Sequence, residues 1–157
     1  NSKVKALIKN KILNLKSSAK KNASNKYRVC AHQPRDKIHE MFIFHEKDYF
    51  VKPHKHINKT ESLFILKGSI DYIIFDKLGT IVNLYKLNDR NHKKFFFIRV
   101  SPGTYHSIII KSKYAIFYEV TSGPFYKRDT IFANWYDTKL QNEYYLELKN
   151  QVKKFNK

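Results

Sequence analysis

Two histidines and a glutamate lie close together in the segment PHKHINKTE. His54 and His56 are separated by one residue, so on a β-strand both side chains point to the same face. Glu61 follows after a short turn and opens the next apolar run, ESLFILKG. Two imidazole nitrogens and a carboxylate are typical ligands of a divalent transition metal, at about 2.0–2.2 Å for a zinc-like ion. The spacing therefore predicts part of a metal site.

A further histidine, His106, stands early in the later run SPGTYHSIII. The preceding Pro102–Gly103 pair predicts a turn that would aim His106 inward. A third imidazole from an adjacent strand would complete a set of three histidines and one glutamate, with one or two positions left open for water or substrate. The cofactor that we expect is one divalent transition metal, either Fe, Mn, Zn or Ni.

The elements that must position these residues are short strands. Between Tyr27 and Val120, β-branched and aromatic runs alternate with Gly, Pro, Asn, Asp and Lys, which is typical of strands and turns. In the stretch DKLGT, Gly79 predicts a hairpin turn with positive φ. Many short strands at this spacing predict a sandwich or a barrel. We expect strands near residues 27–31, 39–44, 49–55, 61–67, 69–76, 80–87, 93–100, 104–110 and 113–121.

Both ends of the chain show helical periodicity. Apolar residues recur every three or four positions, which predicts two amphipathic helices: Val4, Leu7, Ile8, Ile12 and Leu15 in the first, and Leu140, Tyr144, Leu148, Val152 and Phe155 in the second. We expect an N-terminal helical extension over 1–24, a β-barrel over 25–136 and a C-terminal helix over 137–157. The helices are expected to pack on the barrel or on a second copy in a homodimer, with a membrane-surface helix as the alternative for the first.

Length and composition indicate one globular domain. The chain has 157 residues, of which 42% are hydrophobic and 15% aromatic, so it can bury a core. The net charge of +18 is spread along the sequence, which favours a basic solvated surface over a polyanion-binding face. The single cysteine, Cys30, excludes an intramolecular disulfide. No apolar run has the length of a membrane span, and the basic start lacks the apolar core of a signal peptide, so we expect a cytoplasmic protein.

The histidine and glutamate spacing resembles the two motifs of the cupin superfamily. The first motif, H-x-H followed by E and then G, is matched by His54, His56, Glu61 and Gly68. In the second, P-x-G-x-x-H, Gly103 and His106 are in register, but Ser101 stands at the usual proline position and Ile110 where asparagine is common. The resemblance implies a mainly β cupin fold, a double-stranded β-helix or jelly-roll barrel, with N- and C-terminal amphipathic helices. It also implies that His54, His56, Glu61 and His106 are the metal ligands.

A narrower resemblance runs from Arg28 to Tyr136. The segments that carry it are RVCAH, YFVKPHKH, FDKLG, SPGTYHS, FYEVTSGPF and FANWY. Together they are similar to the WbuC family of cupin-fold metalloproteins. That resemblance implies a link to bacterial surface-polysaccharide (O-antigen) biosynthesis.

Several other residues are candidates for the site. His32 is a candidate proton shuttle, because its unperturbed pKa lies near neutrality, or a hydrogen-bond partner of the backbone. Arg28 is a candidate clamp for a phosphate or carboxylate, with an ion pair to Glu119 or Asp71 as the alternative. The catalytic candidates are His32, Tyr72 and Tyr105, and the substrate-binding candidates are Arg28, Glu119 and Tyr118. Packing in the core is the alternative for each tyrosine.

Other residues are expected to be structural. We interpret His39, His45 and His92 as structural or solvated histidines, and Lys59 as a solvated turn residue, although an amine facing the pocket would attract an anion. Trp135 is expected to cover an edge of the core or to wall the pocket.

These observations favour a metal-dependent enzyme that acts on a sugar or sugar nucleotide in polysaccharide assembly. The metal would serve as a Lewis acid for isomerisation or epimerisation, and iron-dependent oxygenation is also compatible with the ligand set. The expected partner is a small-molecule ligand, such as an anionic sugar derivative, and not nucleic acid. The first alternative is a non-catalytic, metal-dependent ligand-binding or regulatory cupin. The second is a basic protein that binds polyanions.

Overall fold

The computed structural model describes residues 5–7, 9–15, 17, 26–91, 93–135 and 140–155. Within them the chain forms two α-helices, ten strands and one 3₁₀ turn at Lys127–Asp129. The helices are α1 (Lys9–Leu13) and α2 (Gln141–Phe155). The strands are β1 (Lys26–Cys30), β2 (Ile38–Glu46), β3 (His54–His56), β4 (Glu61–Lys67), β5 (Ser69–Phe75), β6 (Ile81–Asn88), β7 (Phe97–Val100), β8 (Tyr105–Ile110), β9 (Tyr114–Ser122) and β10 (Thr130–Phe132).

The strands form two antiparallel five-stranded sheets. The first sheet has the order β1-β2-β9-β4-β7, and the second has the order β10-β3-β8-β5-β6. In each sheet the central strand comes late in the sequence, because β9 lies between β2 and β4, and β8 lies between β3 and β5. The predicted mainly β architecture is therefore confirmed.

The core lies between the two sheets. Alternate residues of each strand point inward, as the two-residue period of a strand requires. On β2 the inward residues include Met41 and Ile43, and on β5 they include Ile70 and Tyr72. The remaining buried members are Leu63, Ile65, Leu87, Val100, Ile108, Ile110, Ala115 and Phe117. This packing fixes the strand faces from which the site residues project.

The two helices cover parts of the outer sheet faces. Tyr145, Leu148 and Val152 of α2 pack with outward residues of the second sheet, which are Ile73, Phe75 and Ile109. The predicted apolar stripe of α2 is partly wrong, because Leu140 is 53% exposed and Phe155 is 48% exposed, while Tyr145 is buried.

Near α1, Leu15 packs against Phe44 and Ile116 of the first sheet, with Ile12 beside them. Val4 and Ile8, which also belong to the predicted stripe, lie outside the described residues. In the described part of the chain, neither helix is long and apolar enough to cross a membrane.

Three strand predictions differ from the structure. The expected strand over 49–55 is limited to His54–His56, and the one over 93–100 begins only at Phe97. Strand β10 at Thr130–Phe132 was not predicted, because a run of three residues gives too little periodicity to detect.

The predicted hairpin turn between β5 and β6 is confirmed. Gly79 has φ +89°, and the Asp76 Oδ1 atom accepts hydrogen bonds from the Leu78 and Thr80 amides at 2.8 and 2.9 Å. A Cβ atom at residue 79 would lie 2.7 Å from the indole of Trp135, so a larger side chain would displace that ring. Trp135 itself packs on Phe75, with 5.8 Å between ring centroids, and covers this edge of the core.

Candidate metal centre

Three histidines converge where β3 meets β8. His54 is the direct pairing partner of His106, and the ring centroids of the two imidazoles lie 4.4 Å apart. His56 lies on the same face of β3 as His54, with 5.1 Å between their ring centroids. The Gly103 amide donates to the His56 carbonyl at 2.7 Å, and Gly103 adopts φ +80°. This turn therefore fixes the start of β8 against the end of β3, and with it the position of His106.

Glu61 reaches the histidines from the opposite sheet. It is the first residue of β4 and is buried. Its Oε2 atom lies 3.1 Å from His56 Nε2, and its Oε1 atom lies 3.6 Å from His106 Nε2. One potential ligand atom from each of His54, His56, Glu61 and His106 lies within 4.8 Å of the other three. The structure thus brings together all four residues that the sequence motifs predicted as ligands.

Backbone carbonyls orient two of the imidazoles. His54 Nδ1 lies 2.8 Å from the Lys52 carbonyl, and His106 Nδ1 lies 3.0 Å from the Thr104 carbonyl. Because a carbonyl can only accept, each Nδ1 carries the proton and each Nε2 keeps a free lone pair. His106 Nε2 is buried and has no hydrogen-bond partner among the described residues. These residues therefore fit a divalent transition metal bound at the Nε2 side of the rings.

A tyrosine holds the glutamate in place. The Tyr72 hydroxyl donates to Glu61 Oε1 at 3.1 Å, and its ring stacks on His106 with 5.5 Å between centroids. Burial raises the pKa of Tyr72 well above its ordinary value, and the charge of Glu61 adds to the shift. The phenol therefore stays protonated and donates to Glu61, and the catalytic role expected of Tyr72 stays a prediction.

The cluster favours the unprotonated state of its members. Burial lowers the pKa of His54 to about 4, with the charge of His106 adding to this effect and that of Glu61 opposing it. Burial by itself would raise the pKa of Glu61, but the charges of the neighbouring histidines and the hydrogen bond from His56 lower it to about 2. Neutral imidazole and ionised carboxylate are the forms that ligate metals.

The four residues open into a cavity of about 410 Å³ between the sheets. Arg28, His32 and Glu119, all predicted site residues, also line it. His32 Nδ1 accepts a hydrogen bond from the Glu40 amide at 2.9 Å. Burial raises the pKa of Glu119 well above its ordinary value, the charge of Glu61 adds to the shift, and that of Arg28 opposes it. The cavity wall thus offers a carboxyl group whose protonated form is favoured by burial, an imidazole and a guanidinium.

Two of the predicted tyrosines do not reach this cavity. Tyr105 precedes His106 on β8 and points to the opposite face, where it packs against Trp135 with 4.6 Å between ring centroids. Tyr118 precedes Glu119 on β9, and its hydroxyl donates to Glu40 Oε1 on the outer face of the first sheet. Burial and this hydrogen bond raise the pKa of Tyr118 to about 12. The alternation of side chains along a strand separates both tyrosines from their neighbours in the cavity.

Other cavity residues were not predicted as site residues. His39 and His45 are buried and line the cavity. They have the same parity on β2 as the core residues Met41 and Ile43, so the alternation of side chains along the strand could have indicated that they face inward. Burial lowers the pKa of His39, the charges of His32 and Lys59 add to this effect, and hydrogen bonds to backbone carbonyls oppose it.

Lys59 and Thr121 also line the cavity. Lys59, expected in a solvated turn, is instead buried, and no sequence signal distinguishes it from the other lysines. Cys30 lies on β1 at the cavity wall and is partly buried, and His92 lies outside the described residues.

Sequence comparison assigns the chain to a family. The model described as "Domain of unknown function (DUF6016)" matches residues 7–87, just over half of the chain. The chain belongs to the DUF6016 family. The matched region includes His54, His56 and Glu61 and ends before His106. A search of curated proteins gives no match.

Solved structures show what fold this DUF6016 chain has. The capsular polysaccharide assembling protein CapF from Staphylococcus aureus is similar at 14% identity and a TM-score of 0.58, over 69% of this chain and 32% of CapF. Oxalate decarboxylase from Bacillus subtilis is similar at 17% identity and a TM-score of 0.53, over 68% of this chain and 27% of the enzyme. A protein from Klebsiella pneumoniae with a double-stranded β-helix domain is similar at 12% identity and a TM-score of 0.54, over 70% of this chain and 85% of the Klebsiella protein.

These similarities confirm the predicted cupin fold. The DUF6016 chain corresponds to about a third of the length of CapF and to about a quarter of the decarboxylase. At identities below 20% the similarity concerns the fold. Membership of the WbuC family stays a prediction.

Proposed function

We propose that this chain is a metal-dependent cupin that isomerises or epimerises a sugar or sugar nucleotide in the assembly of a bacterial surface polysaccharide. The observation that carries the proposal is the convergence of His54, His56, Glu61 and His106 at the wall of a cavity of about 410 Å³. That volume suits a small molecule and is too small for a folded partner. The resemblance to WbuC proteins and the fold similarity to CapF, a capsular polysaccharide assembling protein, support the substrate class.

A metal held by these four residues would supply Lewis-acid polarisation to a carbonyl or hydroxyl oxygen of the ligand. The protein itself supplies the remaining parts of the site. Tyr72 keeps the Glu61 carboxylate oriented through its hydrogen bond of 3.1 Å. Glu119 and His32 line the same cavity and are the groups that we assign to proton transfer with the bound sugar.

The test is proton exchange on the sugar. Metal-loaded protein is incubated in D₂O with a panel of hexoses and nucleoside diphosphate hexoses, and the sugar C–H signals are followed by NMR. Isomerisation or epimerisation through a proton-transfer step exchanges one C–H for deuterium and produces a second sugar. Glu119→Gln should abolish exchange and keep the metal, and Glu147→Gln on the exposed face of α2 is the matched control.

Three results would contradict the proposal in different ways. A folded protein that takes up no transition metal contradicts the metal centre. Metal uptake and sugar binding without exchange or product would instead favour the non-catalytic ligand-binding cupin. Binding of a polyanion that weakens steeply with salt, in place of sugar binding, would favour the basic-surface alternative.

A further inference from the structure

The cavity contains a row of polar residues next to the candidate metal centre. His39, Thr121 and Glu61 are consecutive partners across β2, β9 and β4 of the first sheet. All three line the cavity. Since neighbouring strands are about 4.8 Å apart, the row extends about 10 Å from the metal ligand Glu61 to His39. A ligand that contacts the metal centre would therefore extend along this row.

Lys59 lies near His39 at the end of this row, and its amine forms no ion pair with the described residues. It is only 6% exposed and lines the cavity. Its Nζ atom lies 5.1 Å from the centroid of the Phe125 ring, and none of the ion pairs or hydrogen bonds found among the described residues involves it. A lysine is almost never buried in a folded protein without a counter-ion. The missing counter-ion points to an anion from outside the chain.

Thr121 offers a second unused polar group in the same place. It is 9% exposed, and its Oγ1 atom is buried without a hydrogen-bond partner among the described residues. Buried hydroxyl groups are usually hydrogen-bonded, so an unsatisfied one in a cavity wall is available to a ligand atom or to a water that a ligand would displace. Thr121 can donate to an anionic oxygen, and Lys59 can compensate its charge.

We infer that Lys59 and Thr121 form a subsite for an anionic group, a carboxylate or a phosphate, on the ligand of the metal centre. This inference rests on the proposed function and narrows its substrate class to an acidic sugar derivative. A row of about 10 Å matches one sugar ring with a single acidic substituent, with the ring oxygens toward Glu61 and the acid toward His39. Phe125, near the Lys59 amine, would cover the bound acid.

Calorimetric titration of the metal-loaded full chain tests the subsite. The probes are D-glucuronate, glucose 1-phosphate and neutral D-glucose, so that the first two distinguish a carboxylate from a phosphate. We expect at least one acidic probe to bind about tenfold or more tightly than glucose. Lys59→Met should weaken that probe by about 10- to 100-fold, because a charged hydrogen bond is lost. Thr121→Val should cause a smaller loss of affinity for the acidic probe. Lys77→Met in the exposed β5–β6 turn should leave that affinity unchanged.

The inference is overturned if glucose binds as tightly as both acids, or if Lys59→Met leaves their affinity unchanged while the metal content stays intact. If Lys59→Met does not fold, the affinities of the three probes for the unmodified chain test the inference. Lys59→Arg keeps the positive charge and should retain the preference for the acidic probe. Absence of metal from the unmodified chain would contradict the proposed function itself, so the two failures are distinguishable.

Discussion

His54 and His106 face each other directly across the antiparallel pair β3–β8, with 4.4 Å between their ring centroids. The first comes from a strand of three residues and the second from a strand that follows much later in the sequence. Strand pairing therefore sets the separation of two candidate ligands, and the carbonyls of Lys52 and Thr104 set their tautomers. The candidate metal site therefore requires the pairing of strands that lie far apart in the sequence, in addition to the local H-x-H motif.

Removal of one imidazole should therefore empty the site without unfolding the protein. We expect His106→Ala to lose its transition metal, as measured by elemental analysis of protein purified without chelators. The unmodified chain should carry about one metal ion. His32→Ala, at the wall of the same cavity but outside the ligand cluster, should keep the metal. Equal metal content in the two variants would remove His106 from the ligand set.

The Tyr72 hydroxyl should tune metal affinity. Tyr72→Phe deletes the donor to Glu61 Oε1 and preserves the ring that stacks on His106. Loss of a group that orients a ligand typically costs about 10- to 100-fold in metal affinity, which competition with a fluorescent chelator measures. Tyr85→Phe, a partly buried tyrosine outside the cavity, is the control and should bind metal normally. An unchanged affinity in Tyr72→Phe would show that the carboxylate needs no support from the phenol.

His39 should titrate below its ordinary pKa. Burial, with the charges of His32 and Lys59, lowers this pKa from 6.5 in the folded chain. Below pH 6.5 the His39 imidazole therefore binds a proton more readily in the unfolded chain than in the folded chain. The free energy of unfolding should thus decrease as the pH falls from 6.5 to the folded-state pKa of His39. NMR titration of the imidazole measures the shift. Lys59→Met should raise the pKa, and Lys77→Met should leave it unchanged. A His39 pKa at or above 6.5 in the unmodified chain would contradict its burial.

Helix α2 should contribute to stability and not to the site. Leu148 is 1% exposed and packs on the outer face of the second sheet, whereas Leu146 on the same helix is 58% exposed. Leu148→Ala should lower the free energy of unfolding by about 2–5 kcal/mol through the lost contacts and the resulting cavity. Leu146→Ala should change it by about 0.5 kcal/mol or less. Denaturant titration measures both, and metal content should be normal in each. Equal effects would show that α2 does not pack as described.

The candidate ligands and most strands could be predicted from the sequence because their signals are local, namely the spacing of the histidine motifs and the short runs of β-branched and aromatic residues. The strand predicted over 61–67 is confirmed as Glu61–Lys67, since a short apolar run ends there at Gly68. The alternation of side chains along a strand explains the placement of Tyr105 and Tyr118, which have the opposite parity to His106 and Glu119 and so face away from the cavity.

What the sequence did not reveal depends on tertiary packing. Lys59 lies in the connection between β3 and β4 and is buried, with its amine 5.1 Å from the centroid of the Phe125 ring. In a chain with 31 Lys and Arg residues, its identity carries no signal of this burial. Phe50 and Val51 read as part of a strand, but the structure places them in the loop before β3, where they still pack against the core clusters. Burial alone does not distinguish a strand from an irregular segment.

The late position of β8 and β9 has a consequence for synthesis on the ribosome. Each becomes the middle strand of its sheet. In a nascent chain that ends before residue 105, each sheet would therefore consist of two separate parts with no strand between them. Such long-range pairing makes folding slow and cooperative, and the region matched by the family model cannot form either complete sheet alone. Folding of the body of the protein and acquisition of metal should therefore occur in a single step, only after translation has passed β9.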